Sequence, residues 1–298
     1  MFKKIMKARS TKVKSSKLEC VKKEEGISLL KGEGNFLEDS VNLSDEKDYT
    51  LNIDVSEIDV EIKNVEGKRL RVYAKGCEKF KDRDSVEFKI EENEDFVNIT
   101  FSPKEDVIFS AIKGAVTITI RGLSSSSKLV IEIPKEVRFK NLRLKSSAGD
   151  VNINGFVAKN NIELTTRVGD SFIGQVHSKL LEVNASSGDV EVKDLKSEEG
   201  VFSLSVGELS IRKSSVDDLI VNTSSGDIDF TDIRAKRLMV SSSFGDVNAK
   251  SIECKNIGIK SSSGDVVLDN SLNMEYKIER LKVDVTFGDK EVTANYNK

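Results

Sequence analysis

An all-β fold, a single-stranded β-helix (β-solenoid) of about 19-residue coils, is what this sequence predicts, and three observations predict it. Glycines recur at 149, 169, 188, 207, 226, 245 and 264, spaced by 20, 19, 19, 19, 19 and 19 residues, with Gly288 following after 24. Around them the chain rewrites one phrase, as in LEVNASSGDVEV (181–192), LIVNTSSGDIDF (219–230) and IGIKSSSGDVVL (257–268). Aliphatic residues also hold fixed offsets: Leu181 and Val183 lie seven and five residues before Gly188, and Val190 and Val192 lie two and four after it. Period-two alternation puts each pair on one face of a strand, so each coil is expected to supply two strands whose apolar faces meet inside. A repeat this short closes no core alone and must stack on its neighbours.

Three segments are expected: a basic N-terminal arm and cap segment over 1–45, a β-rich part with irregular coils and hairpins over 46–140, and regular solenoid repeats over 141–298. Residues 1–19 carry Lys3, Lys4, Lys7, Arg9, Lys12, Lys14 and Lys17 against Glu19 alone. That excess suits a solvated arm, or weak contact with an anionic membrane surface helped by Phe2, Ile5 and Met6. A short helix is expected before Gly32 and Gly34. From Leu51 the period becomes two: LNIDVSEIDVEI looks like a degenerate first coil. Strands are expected at Leu70–Tyr73, Val86–Ile90, Val97–Phe101, Val116–Ile120 and Leu129–Ile133, forming hairpins that cap the solenoid. Pro103 and Pro134 fall at strand ends, where a missing N–H costs least. The apolar stretch 107–120 contains Lys113 and Gly114 and is too short to span a bilayer, which needs about 18 or more apolar residues.

Within a coil, glycine supplies a backbone conformation that a Cβ resists, which explains the glycine column. The residue three before it is small in most coils (Ser146, Thr166, Ala185, Thr223, Ser242, Ser261), while Leu204 and Val285 depart from the rule. Gly200 stands where other coils carry an aliphatic, so the 201–212 coil is expected to be bent or shifted. The longer interval NSLNMEYKIER (270–280) is expected to cover or distort the far end, and end-to-end self-association follows if either cap fails.

Two polar columns are the candidate interaction surface. Aspartate follows the glycine at Asp150, Asp170, Asp189, Asp227, Asp246, Asp265 and Asp289, with Glu208 in the remaining coil. Stacked coils bring such carboxylates to about 4.8 Å, where two charges repel by roughly 1 kcal/mol in water. Each is therefore expected to accept backbone N–H or hydroxyl bonds within its turn. The alternative, a ladder of divalent cations, lacks ligands, since calcium takes 6 to 8 oxygens. The second column is Ser147, Ser186, Ser205, Ser224, Ser243 and Ser262, interrupted by Arg167. A flat strip of hydroxyls and carboxylates suits a glycan or a protein. Ile220 and Met239 on adjacent coils suggest a small apolar contact patch.

The chemistry of an enzyme is missing. His177 is the only histidine, and there is no phosphate-binding glycine loop, no Ser/His/Asp arrangement and no Cys-x-x-Cys. An aspartate present in every coil serves the fold rather than one active site. No cofactor is expected. The 47 basic and 50 acidic residues leave a net charge of −3, and no tryptophan is present, so nucleic acid is not an expected partner. Cys20, Cys77 and Cys254 are odd in number and widely spaced, as free thiols of a reducing compartment are. No apolar run follows the basic start, so the expected location is cytoplasmic, with envelope or surface less favoured.

The SSSGDV-type repeats, the LNIDVSEIDVEI opening and the LVIEIPKEV strand (129–137) resemble the bacterial putative-adhesin family of β-strand-repeat domains of unknown function. The resemblance spans roughly residues 45–292. It implies a right-handed single-stranded β-helix and no catalytic residues to carry over. The expected function is a non-enzymatic interaction or scaffold module. The alternative is an exported adhesin-like protein binding glycan or protein through the exposed Ser and Asp columns.

Overall fold

The computed structural model describes residues 36–55, 58–75, 86–93, 96–103, 115–120 and 128–296. The basic arm, the helix expected before Gly32, the 107–114 part of the apolar stretch, Cys20 and Cys77 lie outside the described residues. All the elements below belong to the unit Asn35–Lys298.

Regular coils begin with β9 (Arg138–Ser146) and β10 (Val151–Asn154) and continue through β11 (Ala158–Val168), β12 (Ser171–Gly174), β13 (His177–Ser187), β14 (Val190–Lys193) and β15 (Lys196–Val206). Three 17-residue strands follow, β16 (Leu209–Ser225), β17 (Ile228–Phe244) and β18 (Val247–Ser263), and then β19 (Val266–Asp269). Each pairs in parallel with its counterpart one coil on: Leu181 with Gly200, Gly200 with Leu219, Leu219 with Leu238, Leu238 with Ile257. Equivalent residues therefore stack in columns.

The coil has more turns than the two-strand expectation. Six residues after the glycine the backbone turns again, at Gln175, Asp194, Lys213, Asp232 and Ser251, all with φ between 51° and 57°. The residue after each turn is buried: Val176, Leu195, Ser214, Ile233 and Ile252, with Phe156 completing the row. Three rows thus fill the interior, one before the glycine (Leu219, Val221), one after it (Ile228, Phe230) and this third. Each fully buried aliphatic contributes about 1.5–3 kcal/mol relative to exposure.

Coil 201–212 is neither bent nor shifted, contrary to expectation. β15 keeps continuous register with both neighbours. Phe202, fully buried, fills the space that Gly200 leaves, and a Cβ on Gly200 would sit 3.3 Å from the Phe202 ring and 3.2 Å from Leu219. Volume is conserved across the row rather than at each position.

The stacking order differs from the chain order. β2 (Asp48–Val55) and β3 (Asp59–Val65) form a coil, as the LNIDVSEIDVEI pattern suggested, but it is not the first in space. On one side β2 and β3 pair in parallel with β9 and β10; on the other they pair in parallel with β7 (Ala115–Ile120) and β8 (Lys128–Pro134). The coil made early in the chain is slotted between two that are consecutive in sequence.

Further strands finish that end. β4 (Arg69–Lys75) pairs with β8, and β1 (Phe36–Asn42) with β4; β6 (Phe96–Pro103) runs parallel to β7 and forms a hairpin with β5 (Val86–Asn93). A charged cluster ties the junction: Glu132 on β8, nearly buried, accepts from Arg71 at 3.0 Å and from the Tyr73 hydroxyl at 3.2 Å, and lies 3.2 Å from the Lys63 ammonium. At the opposite end β21 (Arg280–Phe287) stacks on β18 and β22 (Lys290–Thr293) on β19, while β20 (Lys277–Ile278) pairs with β23 (Asn295–Tyr296). Between them the 270–280 interval carries a 3-10 turn, Ser271–Asn273. Asn270 is buried there and closes the row below, accepting from the Ile252 N–H at 2.6 Å and donating to its carbonyl at 2.7 Å.

Candidate functional site

The glycine corner is the most regular exposed feature. At Gly188 φ is +124°, and an added Cβ would collide with the carbonyl of Gly169 in the preceding coil. The same holds from Gly149 to Gly288, where φ spans +110° to +139°. Coils are thus in backbone contact at this corner, and the columns beside it are held in strict register. Backbone bonds continue around the bend, as from the Gly207 N–H to the Ser225 carbonyl at 3.1 Å and from the Leu209 N–H to the Asp227 carbonyl at 2.9 Å.

The aspartates bond between coils rather than within their own turns. Oδ1 of Asp150 accepts the backbone N–H of Asp170, Asp170 accepts that of Asp189, and Asp189 that of Glu208, at 2.8–2.9 Å. The ladder starts one coil earlier than the repeat indicates, with Asp59 accepting the Asp150 N–H at 2.9 Å. It resumes from Asp227 through Asp246 and Asp265 to Asp289, each bond 2.8 Å. Glu208, one methylene longer, breaks the series. Its acidity is weakened, first by burial, then by the Asp229 carboxylate against it and the charges of Asp189 and Asp227. Among the described residues no three carboxylate, histidine or cysteine groups converge as a metal site.

Ser147, Ser186, Ser205, Ser224, Ser243 and Ser262 are all exposed. Ala185 pairs with Leu204 and Ser187 with Val206, which sets Ser186 beside Ser205. With Asn184, Ser203, Asn222 and Ser241, the hydroxyls of Ser186, Ser205, Ser224 and Ser243 line a shallow groove of about 440 Å³.

Sequence reasoning missed the column between serine and glycine. There Val168, Ser187, Val206, Ser225, Phe244, Ser263 and Phe287 follow one another in register up the solenoid. The large members are conspicuously exposed, Val168 by 52%, Val206 by 55%, Phe244 by 62% and Phe287 by 73%. Apolar knobs therefore stand about 9.6 Å apart, twice the strand spacing, with serine between them and the acidic ladder alongside. Reading the residue before each glycine would have found it. A smaller patch lies elsewhere, where Ile220 pairs with Met239, and Met239 lies over Gly258 with its thioether where a Cβ would be.

Other reactive groups are isolated. His177 is exposed at the start of β13. The buried Cys254 thiol, pushed up to about 11 by burial, donates to the Asn256 carbonyl at 3.2 Å. Burial thus disfavours the thiolate, the nucleophilic form.

Two solved structures from Parabacteroides distasonis share the architecture. One, described as a putative lipid binding protein, is 17% identical with a TM-score of 0.52 and is matched over 87% of this chain and 98% of its own. The other, described as a putative adhesin, is 13% identical with a TM-score of 0.53, over 88% and 98%. At such identities the likeness is one of fold. No protein of curated function matches the chain. The family resemblance seen in the repeats is carried by a family model that matches residues 49–212 and 206–296, nearly the whole described solenoid, and the chain belongs to the Toastrack DUF4097 family.

Proposed function

We propose that the protein is a non-enzymatic interaction scaffold and that its glycine corner is the binding edge. The observation that carries this reading is the exposed Val/Ser/Val/Ser/Phe/Ser/Phe column. A row of exposed apolar side chains held in register along one edge suits a contact surface. The acidic ladder beside it selects a partner segment with apolar residues flanked by lysine or arginine. The aspartates themselves serve the fold, since one oxygen of each holds the next coil. A fixed column on a rigid backbone supports binding without an ordering cost on this side.

A second reading, adhesin-like binding of a glycan, is favoured by the hydroxyl- and amide-lined groove of Ser186, Ser205, Asn222 and Ser224. One experiment separates the two. The wild-type protein and a Val206→Ser/Phe244→Ser/Phe287→Ser variant are used to capture partners from fractionated cells, and both are applied to a glycan array. Loss of one specific protein partner from the triple variant supports the scaffold reading. Array binding that survives in the variant and is lost in Ser205→Phe supports the glycan reading. Identical capture by wild type and triple variant overturns the binding edge.

A further inference from the structure

We infer that the C-terminal end of the solenoid is a homodimer interface, in which β21 pairs antiparallel with β21 of a second copy about a two-fold axis through Val283. The two ends of the stack differ. The end at β7 and β8 is covered by further strands, β4 antiparallel on β8 and β6 parallel on β7, whereas among the described residues β21 pairs only with β18 and β22 only with β19. The outer edge of β21 thus offers unpaired backbone groups, a template for another strand. The core behind it is partly open too. Leu281 and Val285 are half-buried, while Leu219 and Thr223 at the equivalent rows inside the stack are buried.

The sequence of β21, RLKVDVTF, names the occupant. Its inward residues are Leu281, Val283 and Val285, and its outward ones include Lys282 and Asp284, both exposed and paired with each other at 2.9 Å. In an antiparallel pair centred on Val283, Leu281 meets Val285 of the second copy, and Lys282 meets Asp284, twice over by symmetry. Shifting the centre to residue 282 or 284 sets lysine against lysine or aspartate against aspartate. One register is therefore self-complementary in both charge and apolar character, as an isologous interface requires.

Lys290 fixes the hydrogen-bonding phase. Its ammonium donates to the Val283 carbonyl at 2.8 Å, so that carbonyl faces the end of the stack rather than β18. With Val283 as the hydrogen-bonded pair, Lys282 and Asp284 fall in non-hydrogen-bonded pairs, whose side chains approach more closely. Lys290 competes with the second copy for this acceptor and sets the dimer's affinity.

Sedimentation equilibrium of the full chain over a concentration series tests the assignment, with circular dichroism confirming that each variant is folded. The wild type is expected to dimerise reversibly. Lys282→Asp and Asp284→Lys should each weaken dimerisation by about tenfold or more, since two like-charge pairs replace two attractive ones. The double exchange Lys282→Asp/Asp284→Lys should restore it to within about threefold of wild type, and Lys290→Ala should strengthen it. A wild-type protein that stays monomeric at about 100 μM overturns the inference. So does a dimer indifferent to the single reversals, or one that the double exchange fails to restore.

Discussion

Each coil makes two tight corners, and the two obey different rules. At the first, φ lies at +110° to +139° and every regular coil uses glycine; at the second, φ lies at +51° to +77° and the chain uses Gly155 once and otherwise Gln175, Asp194, Lys213, Asp232 and Ser251. The second value falls in the left-handed helical region, which costs an L-residue roughly 1–2 kcal/mol but is sterically open. The first lies outside it and also brings each glycine against the carbonyl of the coil before. What makes a glycine obligatory is therefore the neighbouring coil, not the turn alone.

The largest expected effect breaks the first corner. Gly226→Ala combines φ +128° with a Cβ driven into the Gly207 carbonyl, and should destabilise by about 4 kcal/mol or more, opening the stack locally. Hydrogen exchange resolved by coil would show lost protection at coils 207–264. Next comes the ladder that accompanies the glycines. Asp189→Ala removes the acceptor of the Glu208 N–H and should cost about 1–3 kcal/mol by urea unfolding. At the second corner the sign reverses: Lys213→Gly should stabilise by up to about 1 kcal/mol, whereas Lys213→Val should destabilise.

An effect of similar size repairs the ladder. Glu208→Asp should let residue 208 accept the Asp227 N–H and add about 0.5–1.5 kcal/mol. Burial and neighbouring carboxylates raise the Glu208 pKa in the folded protein, so the folded state holds this proton more tightly than the unfolded one. The group's contribution is fullest below its ordinary carboxylate pKa and is lost as pH rises through the raised one. The stability of the wild type minus that of Glu208→Gln should therefore fall with rising pH just above 4.5, measured by thermal unfolding across pH 3–7.

The same contrast explains what was legible. The glycine column and the aliphatic rows were readable because one residue type, or one chemical class, recurs at a fixed offset. The second corner was not, since glutamine, aspartate, lysine and serine alternate there and no single residue type recurs at the offset. Gly200 misled because its lost volume is made up two residues away, by Phe202. The direction of the aspartate bonds was hidden because the partner N–H lies 19 or 20 residues on, in the next coil, rather than in the local turn. The exposed Val168, Val206, Phe244 and Phe287 sat beside the strongest motif in the chain, masked by the serines that alternate with them.

The slotted coil of β2 and β3 has a consequence for how the protein is born. Asp59 leaves the ribosome 91 residues ahead of Asp150, which bonds to it, and β8 on its other flank also follows later. A nascent chain thus holds an apolar double strand with neither neighbour yet synthesised. From β9 onward each coil finds its template already in place and closes a short loop, a fast and local step. Synthesis therefore crosses from a waiting regime to a zippering one near Arg138. The first hundred or so residues are the window in which chaperones would matter most.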